Sequence, residues 1–307
     1  MEVVVIGHAS LDDVLIKGAK RTQLGGASIY SAMAAKIFSE TGVVSRIGAD
    51  FPPKYFRLLN SSAIDISGMK RMGGKSTFFS IEYDDEGLAH YSDYRLNVGV
   101  HIRPEDIPKK YLSSKAFHLA PMAASKQKAF LDYLRDRTYA LISLNTHSGY
   151  LSKYRRDIID LISQVDVFTM NDEEAMRLTK TKGFEQALNS LKKRDHNLIV
   201  VTMGIYGSAI ISNGEITFAP SVIQPKIVDL TGCGDAFAGS FLATYVSTEN
   251  SLESANVANS VASITATDWN FKAIRSLRFS GIDQFHEFII SHQRKLSKRQ
   301  RSIEHFI

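Results

Sequence analysis

The chain has 307 residues, 44% hydrophobic and 22% charged, a composition typical of a globular protein and unlike that of a disordered chain. No apolar run approaches the roughly 18 residues that suggest a membrane span. The single cysteine, Cys233, excludes an internal disulfide framework and any metal site built from several cysteines, so we expect a cytoplasmic protein. The net charge of +5 arises in residues 294–301, whose side chains we interpret as the solvated end of a helix.

Short β-branched runs alternate with longer amphipathic stretches along the chain. In chain order, the runs predict strands at Val3–Ile6, Ala116–Leu119, Ala140–Leu144, Val165–Thr169, Leu198–Thr202 and Ser208–Ile211. The stretches predict helices at Ala27–Ser39, Lys126–Arg137, Tyr154–Ile162, Asp172–Thr179, Phe184–Arg194, Asp235–Val246, Leu252–Thr267 and Ile282–Leu296. This alternation predicts an α/β fold with a mostly parallel sheet and a site beyond the carboxyl ends of its strands.

Two segments, Asp13–Gly25 and Ser76–Tyr94, break the alternation because each has the pattern of a β-ribbon with no helix. The second contains two alternating stretches on either side of a turn at residues 84–87. A few antiparallel strands are too small to hold a core of their own. We therefore expect one domain spanning residues 1–307, with a small β-lid formed by about 13–25 and 70–100.

The segment 228–239 carries the strongest chemical signal in the sequence. Gly232, Cys233 and Gly234 precede a predicted helix, and unpaired N–H groups at a helix start form an anion site. Asp235 falls in the first turn of that helix, where an aspartate is often only a cap. Beside a phosphate cradle, however, it would supply the base that phosphoryl transfer to a hydroxyl requires.

With Asp229-x-Thr231-Gly232-x-Gly234-Asp235, this segment resembles the C-terminal signature of the ribokinase-like sugar kinases, also called the phosphofructokinase-B family. Further similarities occur in family order from residue 3 to about residue 265: Gly7 with Asp12, Gly25-Gly26 before a helix, Asn171-x-x-Glu174, Thr202-x-Gly204-x-x-Gly207, and the helix containing Asn259. The resemblance implies a three-layer α/β/α fold with a mostly parallel central sheet and a small β-lid.

The resemblance also implies roles for the residues that match the family motifs. Asp235 is expected to be the catalytic base, and the N–H groups of Gly232, Cys233 and Gly234 to form the anion hole. The expected substrate-binding residues are Asp12, Gly25, Gly26 and Tyr30. At Tyr30 the family often has an asparagine that contacts sugar hydroxyls, so the acceptor is expected to differ from ribose.

On the nucleotide side, the family match implies ATP and Mg²⁺ as cofactors and leaves room for a monovalent cation. Thr202, Gly204, Gly207 and Asn259 are expected to bind the nucleotide, and Glu174 with Asn171 to act on the magnesium–phosphate assembly, partly through water. Two structural interpretations stay open here: Asn171 as a helix cap, and the two glycines as ordinary turn residues.

The sequence therefore predicts an ATP-dependent kinase of a small sugar, sugar acid or polyol. A nucleoside kinase, or an inositol-kinase-like member of the same family, is the alternative, because a nucleobase can stack on Tyr30 or on lid aromatics such as Phe78 and Tyr83. A catalytically silent regulator is a third hypothesis. We expect no nucleic-acid or membrane partner, and the resemblance allows a homodimer formed through the β-lid.

Overall fold

A computed structural model of the protein describes residues 1–84, 89–193, 198–222, 224 and 226–304, with the backbone alone at residues 89 and 294–304. The predicted turn at 84–87 lies outside these residues except for residue 84, and so do the side chains of the basic segment 294–301. Among the described residues, no helix has the length and apolar character needed to cross a membrane.

Within the described residues, the central sheet has nine strands, which are mostly parallel as predicted. The antiparallel pairs are confined to one edge, where β11 pairs with β12 and β12 with β13. In spatial order the strands are β13 (Glu215–Ala219), β12 (Ser208–Ser212), β11 (Leu198–Thr202), β10 (Val167–Asn171), β9 (Leu141–Asn145), β8 (Ala116–Leu119), β1 (Val3–Ile6), β4 (Thr41–Ile47) and β5 (Ile64–Arg71).

Helices cover both faces of this sheet and enclose separate apolar cores. One core lies under α3 (Ala124–Arg135), α4 (Ser148–Ile162), α5 (Asp172–Thr179) and α6 (Phe184–Lys192). The other lies under α1 (Ala27–Ala35), α2 (Pro53–Ser61), α7 (Cys233–Thr248), α8 (Ser251–Thr265) and α9 (Ile282–Glu304). This is the predicted three-layer arrangement, in which strands buried on both faces show near-continuous apolar runs.

A second, four-stranded sheet forms the lid in the order β3 (Ala19–Gly25), β2 (Ser10–Ile16), β6 (Thr77–Tyr83) and β7 (Ala89–Arg95). In chain order the first of these strands is β2, which begins at Ser10, three residues before the predicted ribbon begins at Asp13. The parallel pairing of β2 with β6 places Asp12 opposite Phe79 and Ile16 opposite Tyr83. Asp12, Phe79 and Tyr83 therefore share one face of the lid, because side chains alternate between the faces of a sheet.

The sequence patterns did not reveal strands β4, β5 and β13 or helix α2. Glycines and a buried charge interrupt the apolar pattern of β4 and β5. A Cβ on Gly42 would lie 2.7 Å from Tyr111 Cζ, so the glycine leaves room for a ring that packs across the strands. Arg46 is buried and bonds Asp106 through Nε and Nη2 at 2.7 and 2.9 Å. These residues serve contacts with distant parts of the fold, and the residue pattern of a single strand does not show such contacts.

Candidate active site

The loop before α7 has the geometry of an anion site. Gly232 is the N-cap residue and has φ 74°, in the left-handed region that glycine adopts without a Cβ penalty. A Cβ there would also lie 2.2 Å from Tyr30 Cδ1, so the ring packs directly against the loop. Cys233 begins the helix and Gly234 is exposed. The N–H groups of this first turn lack partners within the helix, although that of Cys233 makes a long 3.3 Å hydrogen bond to the Leu230 carbonyl oxygen, so the turn can bind an anion.

Asp235 lies in the first turn of α7, and its carboxylate is held from the neighbouring sheet. Asn145 Nδ2, at the end of β9, donates to Asp235 Oδ1 at 3.1 Å, and Ser31 Oγ donates to the Asp235 carbonyl at 2.9 Å. Burial raises the pKa of Asp235 to about 6, while the bond from Asn145 acts in the opposite direction. A carboxylate poised near neutral pH suits proton abstraction.

Asp12 lies on the inner face of the lid and is 2% exposed. Burial raises its pKa to about 7, and among the described residues none donates a hydrogen bond to its Oδ1. A Cβ on Gly25 would lie 1.7 Å from Asp12 Oδ2, and one on Gly26, which has φ 95°, would lie 2.2 Å from the His8 carbonyl oxygen. Both glycines are therefore required for the close approach of lid and helix α1 around this carboxylate.

Tyr30 is 1% exposed, and its ring lies between Gly232 and Phe271. Its hydroxyl accepts a 3.3 Å hydrogen bond from Gln23 Nε2 of the lid strand β3. The ring contacts Phe271 edge-on, with centroids 5.6 Å apart. Tyr30 thus forms the floor of the anion loop, and a direct contact of its ring with the acceptor stays a prediction.

Asn171 and Glu174 form a capping box at the start of α5. Asn171 Oδ1 accepts from the Glu174 N–H at 2.8 Å, and Glu174 Oε2 accepts from the Asn171 N–H at 3.0 Å. The structural role that we left open for Asn171 is therefore present. Burial, with the nearby charge of Asp235 as a smaller contribution, raises the pKa of Glu174 to about 7. The negative charges of Glu174 and Asp235 therefore repel each other when both carboxylates are ionised.

The predicted nucleotide residues lie at the end of β11, in the turn between β11 and β12, and on α8. Thr202 pairs with Asn171 across β10 and β11. The residues predicted to bind the nucleotide and those predicted to bind magnesium therefore meet at the same end of the sheet. Gly204 and Gly207 have φ 54° and 98°, and a Cβ on Gly207 would lie 2.1 Å from the Ala219 carbonyl oxygen. Asn259 is buried, and its Nδ2 donates to Ser208 Oγ at 3.1 Å and to the Ala219 carbonyl at 3.0 Å, so it ties α8 to β12 and β13.

Cys233 fits the loop as a small side chain. Burial raises the pKa of its thiol, which keeps it neutral although it begins a helix. Its Sγ lies 3.9 Å from the Asp229 carbonyl oxygen. The structure therefore gives no sign of an activated thiolate.

Sequence reasoning missed two residues at this site, Asn145 and Tyr91. Asn145 could have been found as the polar residue that closes a buried parallel strand. Tyr91 of the lid is 45% exposed as a whole, and its ring contacts His147 edge-on at 5.1 Å. Burial, followed by the charges of Asp235, Asp12 and Glu174, raises the pKa of its phenol.

The carboxylates of Asp12, Glu174 and Asp235 make the site strongly acidic when ionised. No ion pair neutralises any of them among the described residues. Nor, in the same part of the chain, do three His, Cys, Asp or Glu side chains converge into a ready-made metal cage. Mg²⁺ usually takes one or two protein carboxylates and completes its shell with water and phosphate oxygens. Glu174, buried beside Asp235, fits that requirement.

Comparisons with known proteins identify the family of the chain. Residues 3–271 match the model of the pfkB family carbohydrate kinases. A cytidine kinase of Thermococcus kodakarensis is 32% identical over 251 residues, which cover 80% of this chain and 88% of the relative. An adenosine kinase structure from Sinorhizobium meliloti superposes with a TM-score of 0.79 at 19% identity, covering 90% of this chain and 97% of that one.

A fructokinase variant of Vibrio cholerae, solved with fructose, ADP and a potassium ion, superposes with a TM-score of 0.77 at 18% identity and covers 89% of this chain and 95% of its own. Structures of kinases named for a sugar and for a nucleoside thus share the fold of this chain. The chain therefore belongs to the pfkB family of carbohydrate kinases and is a ribokinase-like enzyme of phosphoryl transfer.

Proposed function

We propose that this enzyme transfers the γ-phosphoryl group of ATP to a hydroxyl of a nucleoside. The observation that carries the proposal is the aromatic lid face above the buried carboxylates. Tyr91 and Tyr94 are 45% and 63% exposed, and Phe79 lies between them at centroid distances of 6.0 and 6.4 Å. Flat aromatic surfaces of this kind suit a nucleobase, which has a planar aromatic face of its own to stack on them, while a free sugar meets them only through C–H groups.

The other acceptor contacts suit a ribosyl group. Asp12 presents a buried oxygen with no partner in the described part of the chain, which can accept hydrogen bonds from two neighbouring hydroxyls. The 32% identical cytidine kinase supports the same acceptor class. A small sugar, sugar acid or polyol, our expectation from the sequence, would use Asp12 but leave the aromatic face uncovered.

In the proposed reaction Asp235 accepts the proton of the acceptor hydroxyl while that oxygen forms a bond to the γ-phosphorus. The bond from phosphorus to the β–γ bridging oxygen breaks, and ADP leaves with the bonding pair. The N–H groups of Gly232, Cys233 and Gly234 stabilise the negative charge on the transferring group. Asn145 holds the Asp235 carboxylate in place for the proton transfer.

The nucleotide would lie along β10, β11 and β12, where Thr202, Gly204 and Gly207 would contact it. Asn259 would hold β12 and β13 in place through its hydrogen bonds to them. Glu174, positioned by Asn171, would hold Mg²⁺ through one carboxylate and water. The ion would neutralise phosphate charge when bound. The protein's own contribution at this point is a buried carboxylate whose raised pKa falls again when a cation approaches it.

We also propose a homodimer formed through the lid. Leu11 and Phe78 stand opposite each other on β2 and β6, on the lid face that turns away from Asp12 and Phe79. Together with Asp93 and Arg95 they line an open groove on that face. Light scattering of the wild type and of Phe78→Ser would test this association, and a monomeric wild type would contradict it.

An acceptor panel tests the proposed function. ADP release would be measured with ATP, Mg²⁺ and each of cytidine, uridine, adenosine, inosine, ribose, fructose, 2-dehydro-3-deoxygluconate and myo-inositol. We expect the highest kcat/KM for a nucleoside. Asp235→Asn should retain ATP binding and lower kcat by about 10²–10⁴-fold. Preference for a free sugar or polyol would overturn the nucleoside assignment, and no acceptor-dependent ADP with any of them would favour a silent regulator.

A further inference from the structure

One side-chain hydrogen bond joins the lid to the catalytic loop. Tyr83, the last residue of β6, places its Oη 2.9 Å from Oγ1 of Thr231. Thr231 is 7% exposed and immediately precedes Gly232. Burial raises the pKa of the Tyr83 phenol well above its ordinary value, so the hydroxyl keeps its proton and the bond persists across the working pH range.

The loop that receives this bond is fixed on its other sides. The Thr231 N–H donates to Asp229 Oδ1 at 2.8 Å, and the Asn270 N–H donates to Asp229 Oδ2 at 2.9 Å. From below, the ring of Tyr30 packs against Gly232. The hydroxyl of Thr231, by contrast, bonds to the lid. The position of the lid therefore acts on the residue next to the anion hole.

We infer that Tyr83 and Thr231 form a positioning pair through which the lid sets the anion hole for phosphoryl transfer. The inference rests on the proposed function, because the same lid carries Asp12 and the aromatic face that would hold the acceptor. An acceptor that seats the lid would at the same time align the N–H groups of residues 232–234. Alignment matters because a misplacement of about 1 Å in a catalytic constellation can lower the rate about 10²-fold.

Four variants test the pair. Tyr83→Phe and Thr231→Val each remove one hydroxyl and keep the shape, the double variant removes both, and Thr231→Ser restores an oxygen at the same place. Ser92→Ala is the matched control, because it removes a lid hydrogen bond that joins Ser92 Oγ to Ser80 Oγ at 2.9 Å and does not reach the loop.

We expect Tyr83→Phe and Thr231→Val to lower kcat about tenfold or more, within the range that misplacement allows, with the Kd for ATP nearly unchanged. The double variant should be no slower than either single variant, since both remove the same bond. Thr231→Ser and Ser92→Ala should stay close to the wild type. Additive losses in the double variant, or a Thr231→Ser enzyme as slow as Thr231→Val, would overturn the pair.

Hydrogen exchange supplies a readout that needs no acceptor. Without substrates, amides of residues 229–236 should exchange faster in Tyr83→Phe and in Thr231→Val than in the wild type, and equally fast in the double variant. Unchanged exchange in this segment would contradict the pair even in an active enzyme. If the acceptor panel gives no ADP, the proposed nucleoside kinase activity fails, while the exchange measurement still decides whether the lid holds the loop.

Discussion

Asn145 Nδ2 donates a 3.1 Å hydrogen bond to Oδ1 of Asp235 and so connects the end of β9 to the first turn of α7. The bond joins a strand and a helix that are 90 residues apart in sequence. It stabilises the ionised form of a carboxylate whose burial favours the protonated form. The pKa of Asp235 therefore depends on a contact between two different layers of the fold.

Removing the Asn145 amide should raise the pKa of Asp235. In the wild type, kcat/KM should rise with pH through an acid limb near pH 6, because the base must be deprotonated in the free enzyme. In Asn145→Ala the limb should move to higher pH. Ser31→Ala is the control, since Ser31 donates to the Asp235 carbonyl and not to its carboxylate. A limb that stays in place in Asn145→Ala would show that another group controls it.

Asp235→Asn should be more stable than the wild type at neutral pH. The folded state raises the pKa of Asp235 from 3.8 to about 6, so it binds this proton more tightly than the unfolded chain does. Stability from this group is present below pH 4 and is lost as pH rises to about 6, by up to about 3 kcal/mol. The advantage of Asp235→Asn should therefore grow between pH 4 and 6 and then level off in urea unfolding. An advantage independent of pH would contradict the raised pKa.

Gly232 and Gly234 should differ sharply when each is replaced by alanine. At Gly232 the new Cβ would overlap the ring of Tyr30 in a backbone with φ 74°, so Gly232→Ala should lower the thermal midpoint by several degrees and disable the loop. At Gly234 no atom of the described structure lies within 4 Å of the new Cβ. Gly234→Ala should therefore keep the wild-type midpoint. Equal midpoints for the two variants would refute the Tyr30–Gly232 packing.

Tyr30→Phe tests whether Tyr30 only supports the anion loop or also contacts the acceptor. The change keeps the ring beneath Gly232 and removes only the hydroxyl that accepts from Gln23 Nε2, with a cost of about 1 kcal/mol. If Tyr30 acts as the floor, the ranking of acceptors in the panel should not change. A changed ranking would instead support the direct acceptor contact that the sequence led us to expect. Tyr30→Asn is a poorer test, because a cavity in a fully buried site would itself destabilise the fold.

The sequence alone predicted the elements whose patterns are local. The strands Val3–Ile6, Ala116–Leu119 and Leu198–Thr202 and the helix Asp172–Thr179 are confirmed to the residue. Buried parallel strands are continuous apolar runs, and a capping box marks a helix start, so neighbours in sequence are enough to identify them. The loop 229–235 was identifiable for the same reason, since its glycines and its aspartate are consecutive.

Only the tertiary structure could decide what surrounds those residues. Nothing near Asn145 in sequence links it to Asp235, and nothing near Tyr83 links it to Thr231, because these contacts form between separate layers after the chain has folded. The same holds for Tyr30: the family resemblance implies a substrate contact, which stays a prediction, and only the structure shows its ring packed beneath Gly232. The raised pKa values of Asp12, Glu174 and Asp235 also depend on burial, which is a property of the assembled sheet, helices and lid.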